Sequence, residues 1–321
     1  MKQVEHLLGY RASIKVMDAT LRDGGLVNDF YFTDDFVKAL YKTNLEAGVD
    51  YMEMGYRASK KVFDETKFGK WKFCSDDHIR EIVGENDTNL KLAIMADIGR
   101  HDKNDFDEKV NSPVDMVRVA AYIHQMPEAI DMIEDANKKG YETTCNIMAI
   151  SQTQESDLKV ALDMLGKTPV DTIYIVDSFG SIYPEEMKRI VDIYMEAATK
   201  YGKQLGVHAH NNQQLAFANT IEACGDGVNW LDATYKGMGR GAGNCAMELL
   251  LGFLKNPKYN TYPVFRFISD YMVKLEEDGV VWGYDLQYLM TGQLNQHPRT
   301  AIKFTKDKRK DYAEFYKELI V

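Results

Sequence analysis

Residues 205–212 read LGVHAHNN and residues 18–25 read DATLRDGG. Each stretch belongs at the end of a β-strand. Together they supply the carboxylate of Asp23 and the imidazoles of His208 and His210, a donor set suited to a divalent cation. The i, i+2 spacing of the histidines puts both rings on one side of an extended chain. Whether they meet Asp23 depends on how the intervening strands close, so the fold is decided by counting strands outward from 205–212.

Eight short β-rich segments fall at 13–21, 49–55, 90–97, 116–122, 143–150, 172–178, 205–210 and 229–235. Several are almost continuously apolar, as expected of parallel strands covered on both faces. Helical spacing fills the gaps. Thr33 reads as the N-cap of a helix over 34–47 that stops at Gly48. Pro184 opens a helix running to about Lys200, closed by Gly202. Further helices are expected over 75–84, 103–111, 126–139, 156–165, 214–224 and 245–255. Eight βα units over about 255 residues are the size of a (β/α)8 TIM barrel. A doubly wound open sheet is the structural alternative. Helical patterns without strands follow at 262–278, 284–292 and 307–319. The chain therefore divides into a catalytic barrel over 1–256 and a helical extension over 257–321.

The 321 residues carry a formal charge of −10, with 39 Lys and Arg against 49 Asp and Glu. That balance argues against nucleic acid and against an anionic membrane surface. The first fifteen residues lack the apolar core of a secretory leader. No apolar run reaches the ~18 residues of a membrane span. Cys74, Cys145, Cys224 and Cys245 are widely spaced with no C-x-x-C pair, which fits buried, reduced thiols in a cytoplasmic protein.

In such barrels the active site lies at the C-terminal ends of the strands. Strands 7, 8 and 1 are consecutive around a closed barrel. Asp23, His208, His210 and Asn244, in the loop after strand 8, therefore converge on one point. Glu53, Asn146, Asp177 and Ser178 end strands on the same face and are candidate substrate-binding residues. The loop itself, GMGRGAGN over 237–244, formally matches a dinucleotide fingerprint at Gly237-x-Gly239-x-x-Ala242. It follows the last strand and opens no βαβ pair, so a tight turn near the metal, with Gly241 and Gly243 as an anion cradle, is the better reading. Lys236 offers a Schiff-base amine, an unneeded electrophile beside a metal.

Three motifs, Asp18-x-Thr-Leu-Arg-Asp23-Gly, His208-x-His210-Asn and Gly239-x-Gly-x-Gly243-Asn244, resemble those of the DRE-TIM metallolyases. Within that family the pattern is most similar to the 4-hydroxy-2-oxovalerate aldolases. The resemblance implies cleavage of a 4-hydroxy-2-oxo acid, a small-molecule substrate, to pyruvate and an aldehyde through an enolate. It makes Asp23, His208 and His210 metal ligands, Asn244 a fourth ligand or a supporting group, and Arg22 the cation that stabilises the enolate oxygen. Mn2+ is the expected metal, before Mg2+ or Zn2+, and a homodimer the expected assembly. A Claisen-type acyl-CoA enzyme of the same family is the second reading, and a non-catalytic metabolite-binding barrel the third.

One departure stands out. The aldolases keep a basic histidine three residues after the metal-binding aspartate, and here that position is Leu26. His297, in Asn-Gln-His-Pro of the extension, is the candidate replacement. The extension does not match the aldolase communication domain, so that enzyme's aldehyde dehydrogenase partner is not carried over.

Overall fold

The computed structural model describes residues 11–102 and 105–321. Residues 1–10, read above for a leader, and 103–104 lie outside the described residues. Eight parallel strands close into a barrel in sequence order: β1 (Lys15–Asp18), β2 (Tyr51–Tyr56), β3 (Lys91–Asp97), β4 (Met116–Ala121), β5 (Glu142–Ile147), β6 (Thr172–Asp177), β7 (Gln204–Ala209) and β8 (Trp230–Ala233). The seam pairs Lys15–Asp18 with Trp230–Ala233. Closure makes the ends of β7, β8 and β1 neighbours, so the open sheet is excluded.

Alternation along the strands sorts the interior into layers. Met17, Tyr51, Ala93, Met116, Tyr174, Val176 and Trp230 form an apolar cluster, with the Tyr51 and Trp230 rings 4.8 Å apart. The inward positions one step further along several strands are polar and fully buried: Glu53, Arg118 and Asp232. The opposite faces of the strands pack under the helices in the main core.

The helices form where caps and periodicity agree. Thr33 accepts from the Phe36 amide at 3.2 Å, and Gly48 ends Asp34–Ala47 in the left-handed conformation. Ser75 caps Asp76–Val83 in the same way. Pro184 begins Pro184–Tyr201 and Gly202 closes it. The helix expected over 103–111 does not form among its described residues, where only Lys109–Asn111 makes a 3-10 turn. Of its two apolar side chains Phe106 is buried but Val110 is 88% exposed, so no apolar face is available to hold a helix.

The first strand is shorter than 13–21. The Asp18 carboxylate accepts from the Thr20 amide at 2.9 Å and from its hydroxyl, turning the chain into a single helical turn, Thr20–Gly24. The motif thus carries Arg22 and Asp23 on a helical turn, fully buried. Beyond the barrel, helices at Thr261–Phe267, Val273–Glu277, Leu286–Gln293, Arg299–Lys306 and Tyr312–Ile320 make the extension. No helix among the described residues is long and apolar enough to cross a membrane. All four cysteines are free and buried.

Candidate metal centre and pocket

The ligand atoms of Asp23, His208 and His210 all lie within 4.8 Å of one another, and all three residues are buried. An antiparallel bridge between His210 and Asn244 holds the glycine loop against the end of β7. Asn244 donates its amide to Asp23 Oδ2 at 2.6 Å. The loop glycines are explained by this approach. A Cβ on Gly239 would lie 2.1 Å from Asn244 Nδ2 and 2.5 Å from Asp23 Oδ2.

The donor set fits a cation. His208 Nε2, His210 Nδ1 and Asn244 Oδ1 are buried without a hydrogen-bond partner. Three unpartnered buried polar atoms beside one carboxylate cost stability unless something is coordinated there. Burial pushes His210 well below its ordinary pKa, although Asp23 opposes the shift, so its imidazole is neutral and able to ligate. Burial alone raises the Asp23 carboxyl, but the charged groups around it, the Arg22 guanidinium among them, more than reverse this and hold it ionised. His208 and His210 stand with ring centroids 5.1 Å apart, nearly perpendicular.

Behind the centre runs a buried chain of alternating charge. His208 Nδ1 lies 2.9 Å from Asp232 Oδ2, which accepts from Arg118 Nη2 at 2.6 Å. Arg118 Nη1 is 2.8 Å from Glu53 Oε2, and Arg22 Nε donates to the same oxygen at 2.8 Å. Arg22 Nη1 then donates to Asp23 Oδ1 at 2.7 Å. The chain begins at one candidate ligand and ends at another. With Asp232 accepting its Nδ1 proton, His208 presents the Nε2 lone pair.

Asp23, Arg22, His208 and His210 open onto one cavity, shared with Asn146, Ser178 and His297. Asn146 accepts from the Thr144 hydroxyl at 2.7 Å, and Ser178 accepts from the Ala149 amide at 2.8 Å. Glu53 and Asp177 do not line the cavity. Glu53 faces inward but lies beneath Arg22, as part of the charge chain. Asp177 sits one residue out of phase with Val176 and Ser178 and points behind the strand. There it accepts from the Ser181 and Ile182 amides at 3.0 and 3.3 Å, and burial pushes its carboxyl up to about 7. Gly241 borders a neighbouring cleft with Tyr288, and Gly243 turns against Gly237. His297 reaches the cavity from the extension, with Nε2 3.2 Å from Arg240 Nη1. Lys236 leads away from the site, pairing with Glu276.

Sequence reading missed Arg118, Asp232, Arg240, Tyr56 and Asp97. Arg240, inside the glycine loop, donates Nη2 to the Ser178 carbonyl at 2.7 Å and lies 3.5 Å from His210 Nε2. Tyr56 enters the cavity because β2 shifts register between Glu53 and Tyr56. At that irregularity Gly55 adopts φ +151°, and a Cβ there would meet the Trp71 carbonyl at 2.1 Å.

A closed eight-stranded barrel with a two-histidine, one-carboxylate centre at its C-terminal face belongs to the metal-site class of (β/α)8 proteins. More narrowly, the chain belongs to the HMGL-like family, whose profile matches residues 13–268. It is 28% identical over 241 residues to a protein of Mycobacterium tuberculosis named oxaloacetate decarboxylase, covering 75% of this chain and 69% of that one. It is 29% identical over 247 residues to the 4-hydroxy-2-oxovalerate aldolase of Thermus thermophilus, covering 76% and 70%. Against the Bacillus cereus enzyme of that name identity is 24%, over 96% of this chain and 92% of the other. Among solved structures, the N-terminal domain of a candidate aldolase from Bacteroides vulgatus superposes with a TM-score of 0.75 at 28% identity, covering 91% and 97%. The HMG-CoA lyase of Bacillus subtilis shares the fold, with a TM-score of 0.65 at 15% identity over 84% and 95%.

Proposed function

We propose that this chain is a divalent-metal-dependent carbon–carbon lyase that cleaves a 4-hydroxy-2-oxo acid to pyruvate and an aldehyde. The observation that carries the reading is the Asp23, His208 and His210 cluster, with its unpartnered lone pairs, beside Arg22 in one cavity. Asp23, His208 and His210 would hold the ion, with Asn244 supporting Asp23. When bound, the ion supplies Lewis acidity toward the 2-oxo oxygen. Mn2+, Mg2+ and Zn2+ all suit this donor set.

The protein's own groups supply the rest. Arg22 is fixed by Glu53 on one side and Asp23 on the other, so its charge faces the cavity without reorganising as negative charge develops on the substrate. Arg240 adds a second cation at the rim and would receive the substrate carboxylate. Leu26, Met95, Met148 and Phe179 line the same cavity and keep water from the enolate.

A second reading has one observation in its favour. Leu26 faces the cavity where the resembling aldolases keep their base. Decarboxylation of a 3-carboxylated 2-oxo acid needs no base for a hydroxyl proton, and one relative carries the name oxaloacetate decarboxylase. The two separate in one experiment. The protein with Mn2+ is given racemic 4-hydroxy-2-oxopentanoate, then oxaloacetate, with pyruvate followed in both. Chelator-sensitive pyruvate from the hydroxy acid supports the aldolase reading. Pyruvate from oxaloacetate alone would replace it with the decarboxylase.

A further inference from the structure

We propose that Asp97 is the catalytic acid–base residue of this cavity, taking the proton of the substrate's 4-hydroxyl that Leu26 is unable to take. The proposal rests on the lyase reading above.

Asp97 is the last residue of β3. Met95 and Asp97, two residues apart, both point into the cavity that holds Arg22, Asp23 and the two histidines. The Asp97 side chain is 12% exposed, and its Oδ1 is buried without a hydrogen-bond partner. Asp97 borders the cavity, and this oxygen has no protein donor to give up before it takes a substrate proton. Its other oxygen, Oδ2, lies 3.6 Å from Arg100 Nη1. Lys72, whose charge acts on Asp97, lies among rings, its ammonium 4.2 Å from the Phe63 ring centroid and 4.4 Å from that of Tyr56. Burial pushes the Asp97 carboxyl above its ordinary range, while Lys72, Arg100 and Arg22 pull it back and Glu53 adds to the rise. A carboxyl raised in this way is a stronger base than a solvated one.

The other groups in the cavity are less suited. His297 is approached at Nε2 by Arg240 and at Nδ1 by the Arg299 amide, 3.1 Å away, so both ring nitrogens face donors. Burial also pushes its pKa down to about 4. Tyr56 is raised above its ordinary value by burial, which makes it a poor base.

The step balances. Asp97 Oδ1 accepts the 4-hydroxyl proton, and the O–H electron pair becomes the aldehyde C=O. The bond between carbons 3 and 4 breaks, its electrons form the C2=C3 double bond, and the π pair of the 2-oxo group moves onto its oxygen to give the pyruvate enolate. The aldehyde leaves. Asp97, now a carboxylic acid, returns the proton to carbon 3 to give pyruvate, and no other reactant is consumed.

The test compares two reactions in the Mn2+-loaded protein and its Asp97→Asn variant. Cleavage of 4-hydroxy-2-oxopentanoate requires the base for the hydroxyl proton, whereas oxaloacetate decarboxylation has no such proton to remove and asks of Asp97 at most the final protonation of carbon 3. Asp97→Asn is expected to lower kcat for cleavage by about 100-fold or more, and for decarboxylation by less than about 10-fold. Adding Leu26→His to Asp97→Asn is expected to recover at least about 10-fold in cleavage. Cleavage within about 3-fold of the parent, or an equal fall in both reactions, overturns the role of Asp97. If the parent protein cleaves no hydroxy acid, the lyase reading itself fails, and this is seen before any variant is measured.

Discussion

Replacing Asp232 with Asn tests whether the buried charge chain serves the metal centre. Asp232 is 1% exposed and accepts from Arg118 at 2.6 Å while standing 2.9 Å from His208 Nδ1. Burial alone raises its carboxyl, yet Arg118 and His208 hold it below the ordinary range. Asparagine keeps the shape and removes the charge. His208 then loses the anion that fixes its tautomer and strengthens Nε2 as a ligand. Loss of such a supporting carboxylate lowers metal affinity by about 10- to 100-fold, equivalent to about 1.4 to 2.7 kcal/mol. Arg118, fully buried, keeps only Glu53 as an ionic partner. Breaking one of its two buried pairs costs about 3 kcal/mol, the lower end of the range for such pairs, because Glu53 remains. Mn2+ affinity by competition with a chelating dye and stability by urea unfolding read the two effects separately. An Asp232→Asn protein that binds Mn2+ within about 3-fold of the parent would refute the link between the chain and the centre.

Three further outcomes follow from the same geometry. Gly239→Ala drives a Cβ against Asn244 and Asp23, so Mn2+ affinity is expected to fall by at least about 10-fold while circular dichroism stays native. Arg22→Lys loses the planar fork whose Nε and Nη1 reach Glu53 and Asp23 separately, and steady-state kinetics should show kcat lowered by about 100-fold with metal binding retained. Asp177→Asn concerns stability and pH. The folded state keeps the Asp177 proton up to about 7, whereas the unfolded chain releases it near 3.8. The protonated carboxyl therefore favours the fold at low pH, and this favour is lost as pH rises through 4 to 7. Chemical denaturation at pH 5 and pH 8 should show the variant gaining on the parent as pH rises, by at most about 3 kcal/mol.

The barrel and the clustering of Asp23, His208 and His210 were legible because they rest on local signals. Strand-length apolar runs, glycine stops and a His-x-His at a strand end are read within a few residues of each other. The boundaries of the first motif were not, because the Asp18 and Thr20 contacts that bend it into a helical turn are side-chain events that strand propensity does not register. Arg118 and Asp232 sit in mid-strand among apolar neighbours, where charge reads as an oddity until closure brings strands 4 and 8 across the interior. Asp177 and Ser178 both looked like site residues. Strand phase separates them, and a one-residue difference decides which of the two meets the cavity. Tyr56 escaped for the reverse reason, since the irregularity at Gly55 shifts the phase of β2. A helix was expected over 103–111 between two strands, but the segment lacks an apolar face to bury.

Everything proposed for this cavity depends on Asp23, His208 and His210 holding a divalent ion that the carbon–carbon cleavage requires. The direct measurement is Mn2+ binding by equilibrium dialysis, paired with pyruvate release from 4-hydroxy-2-oxopentanoate, in the parent and in Asp23→Asn. One Mn2+ per chain and chelator-sensitive pyruvate release are expected in the parent, with both lost in Asp23→Asn. An Asp23→Asn protein that still binds one Mn2+ with parental affinity and still releases pyruvate would contradict this.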